Sequence, residues 1–145
     1  MRTQLDVLTR DLFEVPVELS PTPGALDCGE TVRRVLADLI KKAPHSRPEI
    51  ADRMSVLTGK KITDHSLDSW TADSREGWRF PLEYLPAFEV ATETRELTSW
   101  MADLRGCRVL VGKDVLDAEI GKLERMKEDA GRRIRQLKNV IGGMQ

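Results

Sequence analysis

The chain has little of what most functional classes rest on. Its only cysteines, Cys28 and Cys107, lie far apart and outside any CxxC spacing. That excludes a disulfide framework and a paired-thiol redox site, and points to free thiols in a cytosolic protein. Histidine occurs only at His45 and His65, neither at metal-ligand spacing with a Cys, Asp or Glu cluster. A zinc site built from His45, His65, Cys28 and Cys107 would need four scattered contributors, so no metal is expected. There is no Gly-rich phosphate loop and no nucleophile motif. In a chain that is 32% charged, the Asp and Glu pairs read as solvated helix faces. Neither catalysis nor a cofactor is expected. Charge of one sign is missing too: 23 Lys+Arg against 24 Asp+Glu give a formal charge of -1, which excludes a binder working by bulk positive charge. No apolar run approaches a membrane span and no signal peptide is visible, so the expected location is cytoplasmic, away from membranes.

What is present is a 145-residue chain, 40% hydrophobic, enough for one domain and an appendage. Residues 1–28 carry two bases (Arg2, Arg10) against five acids (Asp6, Asp11, Glu14, Glu18, Asp27) and hold Pro16, Pro21, Pro23 and Gly24. Leu5, Leu8, Leu12 and Phe13 have helical spacing; beyond Phe13 the prolines predict extended chain, so 1–28 reads as an acidic arm with a linker.

Residues 29–112 read as a helical domain. Val32, Val35, Leu36, Leu39 and Ile40 form one apolar stripe, closed by Lys41, Lys42 and Ala43-Pro44. Ser46-Arg47-Pro48-Glu49 is a capping box for a helix burying Ile50, Ala51, Met54 and Leu57, with Gly59 as its left-handed stop. Thr63 caps DHSLDSW, with Leu67 and Trp70 inward; ADSREGWRF is a loop. Pro86 opens a helix with Phe88, Val90 and Ala91, and Leu97, Trp100, Met101 and Leu104 form a fifth, stopped by Gly106. Trp70 and Trp100 lie on apolar stripes and read as core. Trp78, beside Arg79 in a polar loop, is the one tryptophan free to meet a ligand or partner.

From Asp114 the period changes. Leu116, Ile120, Leu123, Lys127, Ala130, Ile134, Leu137 and Ile141 are spaced 4,3,4,3,4,3,4, a heptad seam that predicts a helix of roughly 40 Å over 113–145. Left alone, such a seam exposes apolar side chains at about 1.5–3 kcal/mol each, so a homo-oligomer, most simply a dimer, is expected. Residues 114–129 hold six acids and three bases, whereas 130–141 hold four bases and no acid, a polarity that favours antiparallel pairing.

Two short capped helices joined by a tight turn, the second starting with small polar residues, form the helix-turn-helix pattern. The same pattern also suits a plain helical bundle with polar outer faces. On the first reading, helix 63–72 enters the major groove. Thr63, Asp64, His65, Ser66, Asp68 and Ser69 are then the base-facing group, with specificity in His65, Ser66 and Ser69. Residues 41–61 hold six bases against two acids. Arg47, Lys60 and Lys61 are the expected phosphate contacts, joined by Arg75 and Arg79 from the following loop. The acidity of the helix itself (Asp64, Asp68, then Asp73) argues against tight non-specific binding.

The stretch SRPEIADRMSVLTGKKIT…SLDSWTADS…RFPLEYLPAFEVAT resembles lambda-repressor-like helix-turn-helix regulators of phages, and is similar to CII-type regulators and early regulatory proteins of Mu-like transposable phages. The resemblance covers about residues 30–112. It departs from the pattern in its longer LTGKKIT turn and in lacking a Gln at the start of the first docking helix. It implies a lambda-repressor-like bundle and sequence-specific binding of double-stranded DNA in transcription regulation; with the heptad helix, the expected fold is all-α, a lambda-repressor-like bundle with a C-terminal coiled-coil helix. The alternatives are a non-catalytic adaptor that engages a host or phage protein through the coiled coil or acidic arm, or a transposition accessory factor.

Overall fold

The structure, a computed structural model, describes residues 15–75 and 77–144. The helical spacing of Leu5, Leu8, Leu12 and Phe13 lies outside the described residues. Six α-helices form among those described, and no strand; one isolated antiparallel bridge joins Glu18 to Arg105. None of these helices is long and apolar enough to cross a membrane. The chain divides into two units, 1–108 and 109–145.

In the first unit, helix α1 (Gly29–Lys42) buries Leu36, Leu39 and Ile40, with Val32 and Val35 packed half-buried beside them. Ala43 leaves it in extended conformation, as the residue before a proline must. Helix α2 (Arg47–Thr58) begins at the expected box, where the Ser46 N–H and hydroxyl both donate to Glu49 Oε2, at 2.7 and 2.8 Å. Pro48 sits in the first turn, and Gly59 ends the helix at φ +66°. Helix α3 (Asp64–Thr71) is capped by Thr63, whose Oγ1 accepts from the Ser66 N–H at 3.2 Å. A short 3-10 turn (Leu82–Tyr84) leads into α4 (Leu85–Thr92), followed by α5 (Glu96–Leu104).

The core sits where α1, α2, α3 and α4 converge, with Leu36, Ile50, Met54, Leu67 and Phe88 almost wholly out of solvent. Trp70 meets Phe80 edge-on at 5.3 Å, and Phe80 meets Phe88 at 5.6 Å, so one aromatic chain ties α3 to α4 through the loop. Glu89, buried in α4, accepts from the Thr98 N–H (2.8 Å) and hydroxyl (2.7 Å), capping α5 from a neighbouring helix.

Two positions depart from the expected core. Leu57 is 51% exposed and Val90 57% exposed. They line one shallow groove with Tyr84 and Pro86 along the margin of the α2–α4 contact. Helices of 12 and 8 residues bury only the centre of their shared face, and these two flank it. The proline-rich segment is no free arm in its described part. The Leu19 N–H donates to the Leu104 carbonyl at 3.1 Å, and Arg105 Nε to Glu18 Oε1 at 2.9 Å. Gly106 makes this approach feasible, because a Cβ there would stand 2.9 Å from the Glu18 nitrogen.

The second unit holds α6 (Lys113–Gly143), 31 residues and so about 46 Å long. No residue of α6 is buried; Leu116, Ile120, Leu123, Ile134, Leu137 and Ile141 are each more than half exposed.

Candidate nucleic-acid interface

The α2–α3 pair is built from its turn outward. Ser55, in the last turns of α2, receives the Ile62 N–H on its hydroxyl at 2.9 Å. Ile62 itself is buried, so the turn 59–63 is pinned by one hydrogen bond and one apolar anchor. The turn presents Lys60 and Lys61 to solvent; the Lys60 ammonium stands 5.8 Å from the centre of the Tyr84 ring. Leu67 and Trp70 hold the inner face of α3, leaving Asp64, His65 and Asp68 exposed on the outer one.

Several expected contacts are placed otherwise. Ser69 is 1% exposed: its hydroxyl donates to the His65 carbonyl at 2.8 Å and accepts from Arg75 Nη1 at 2.9 Å. Ser69 sits beside Trp70 on α3, and Arg75, from the loop that follows the helix, reaches back over it. Ser69 therefore belongs to the packing and not to a base-facing group. Ser66 is half-buried and is used in the cap, its Oγ accepting from the Thr63 N–H at 3.3 Å. Thr63 likewise spends its side chain on that cap. Arg79 faces the N-terminus of α1, its guanidinium 3.8 Å from where a Cβ on Gly29 would stand. The burial of Phe80 against Trp70 and Phe88 sets that direction.

Two pairs of polar side chains form on the outer side of the α2–α3 unit. Arg47 Nη1 bonds Asp68 Oδ1 at 2.8 Å, joining the start of α2 to the exposed face of α3. Arg75 Nη1 lies 3.2 Å from His65 Nε2. Asp68 is thus partly neutralised, and the guanidiniums of Arg47 and Arg75 flank His65 and Asp68. From the middle of α2, Arg53 bonds His45 Nε2, just before the helix, and lies 3.3 Å from Glu93 Oε1, which also stands 2.8 Å from His45. That cluster, absent from the sequence reading, occupies Arg53. Glu49 is held below its ordinary value of 4.5, first by the Ser46 N–H and then by the Ser46 hydroxyl, with lesser help from His45 and Arg53.

Among the described residues, no three His, Cys, Asp or Glu side chains gather as a metal site. Cys28 is half-buried and Cys107 exposed, both free thiols. Trp78 is 58% exposed and lines a cavity with Trp70, Leu82 and Met101. Comparison of the chain with protein-family models, curated proteins and solved structures finds no match in any of the three.

Proposed function

We propose that the protein is a sequence-specific, double-stranded DNA-binding regulator of transcription that acts without catalysis, and that it works as a homodimer joined through α6. The observation that carries this is the α2–α3 unit: two short helices, each with its own cap, joined by a turn pinned through Ser55 and Ile62. The unit leaves a polar helix face outward between flanking cations. A recognition helix needs that combination, a rigid seat on the inner side and groups that reach base edges on the outer. His65 and Asp68 are the base-facing groups, with Asp64 at the entry to the helix. Carboxylates accept from the cytosine amino group, and imidazole donates or accepts at guanine N7 or O6. Lys60, Lys61, Arg47 and Arg75 supply phosphate contacts.

The resemblance to phage repressors supports the same reading over residues 30–112, and a phage or prophage origin accords with it. Selection of bound sequences from a randomised duplex pool tests it. Wild-type protein should enrich one motif, and His65→Ala or Asp68→Ala should change the motif. Enrichment of no motif would contradict the proposal.

A protein–protein adaptor is the second reading. The observation that favours it is the exposed apolar groove lined by Leu57 and Val90, together with the acidic outer face of α3. On that reading, substitutions at Leu57 and Val90 abolish function while those at His65 do not.

A further inference from the structure

We propose that the first unit holds a binding site for a small carboxylate with an apolar or aromatic body, in a cavity of about 250 Å³ between α1, the end of α3, the 73–82 loop and α5. Its walls include Trp70, Trp78, Leu82 and Met101, and Arg33 and Arg79 are the charged residues that line it; among the described residues no acid does. Two independent observations point to such a ligand, the first to its charge and the second to its apolar body. Arg33 is only 9% exposed, yet its one hydrogen bond among the described residues is a long one, Nη1 to the Asp73 carbonyl at 3.4 Å. No ion pair to a carboxylate forms at Arg33 or Arg79 among the described residues. A buried guanidinium with so little compensation is costly, and a carboxylate answers it in bidentate geometry. The second observation is the exposed indole of Trp78 at the same cavity, apolar area that a ligand would cover.

The size limits the ligand. Drug-sized molecules occupy sites from about 300 Å³ upward, so this cavity suits a smaller acid, of the size of phenylacetate or octanoate. The mixture of aromatic walls and two cations excludes sugars and nucleotides, which need several polar partners. This site stands independently of DNA binding, since of its residues only Arg79 is among the expected duplex contacts, and it faces the N-terminus of α1.

The test is a titration of the full-length protein, followed through the indole N–H signals of its three tryptophans and by calorimetry. Phenylacetate and octanoate are the ligands, 2-phenylethanol and octanol the neutral counterparts, and acetate the acid without a body. The carboxylates should bind at least about tenfold tighter than the alcohols, as charge-assisted bonding predicts. They should shift the Trp70 and Trp78 signals and leave Trp100, which does not line the cavity, in place. Acetate should not saturate. Arg79→Ala, at an exposed position, should weaken phenylacetate several-fold. Arg33→Met should abolish the preference for acid over alcohol; if that variant fails to fold, the Arg79→Ala result and the acid-to-alcohol ratio decide alone. Equal affinity for acid and alcohol, no saturable binding, or shifts confined to Trp100 would each overturn the proposal.

Discussion

Single residues in this protein divide sharply between those that hold α3 and those that face outward from it. Ser69 shows the consequence. Because it is buried and bonded to both His65 and Arg75, Ser69→Leu should lower stability by about 1–3 kcal/mol through overpacking and loss of its hydroxyl. His65→Ala, on the exposed face, should leave the thermal midpoint nearly unchanged. Parallel denaturation of the two variants checks this, and equal stability would contradict the placement of Ser69. Glu49 carries a pH dependence. Its folded pKa lies below the ordinary value of 4.5, so its charge-linked stabilisation is complete above that value and is lost as pH falls through the folded pKa. The midpoint difference between wild type and Glu49→Gln should therefore be flat near neutrality and shrink in acid, once the pH has fallen below the ordinary value of 4.5. A difference that grows in acid would contradict the box.

At the scale of elements, the caps and stops were the most readable features. Ser46, Thr63, Gly59 and Gly106 act through local backbone geometry that a short motif encodes completely, and each sits where its type requires. The burial of particular side chains was less readable. Leu57 fits the apolar periodicity, but periodicity gives a direction and not the width of the neighbour that covers it; Val90, two residues from Phe88, falls off the buried side of α4. Arg33 shows the reverse: it shares the 3–4 spacing of Leu36 and Ile40, and that placement on the stripe was the available sign of its burial. The ties that join distant segments, Glu89 to Thr98 and Glu93 to His45, have no local pattern to read. Helix α6 carries its own prediction. In antiparallel alignment the seam pairs Leu116 with Ile141, Ile120 with Leu137, Leu123 with Ile134 and Lys127 with Ala130 of a second copy. Every apolar position is covered, and Lys127 lies against a small residue. Asp117 then faces Lys138, whereas parallel pairing would set Glu119 against Glu124 and Arg133 against Lys138. With Cys28 and Cys107 replaced by serine, Ile120→Cys paired with Leu137→Cys should crosslink between copies under oxidation. Ile120→Cys alone crosslinking readily to itself would instead establish parallel pairing.

For the whole molecule, the division at Arg108 and Val109 separates a domain with its own core from a helix with none. Removal of residues 114–145 should leave a folded monomer, with the duplex affinity of one recognition helix instead of two. Sedimentation or light scattering checks the first part: a full-length protein that is monomeric at micromolar concentration would contradict the role of α6. DNA binding through α3 is tested most directly by anisotropy of the full-length protein on the duplex upstream of its own coding sequence, against an unrelated duplex, across a salt titration. The account predicts a specific complex about a thousandfold or more tighter than the non-specific one at physiological salt. It also predicts that Lys61→Ala weakens both complexes and shallows the salt slope by about one. Indistinguishable affinities for the two duplexes at every salt concentration would contradict it.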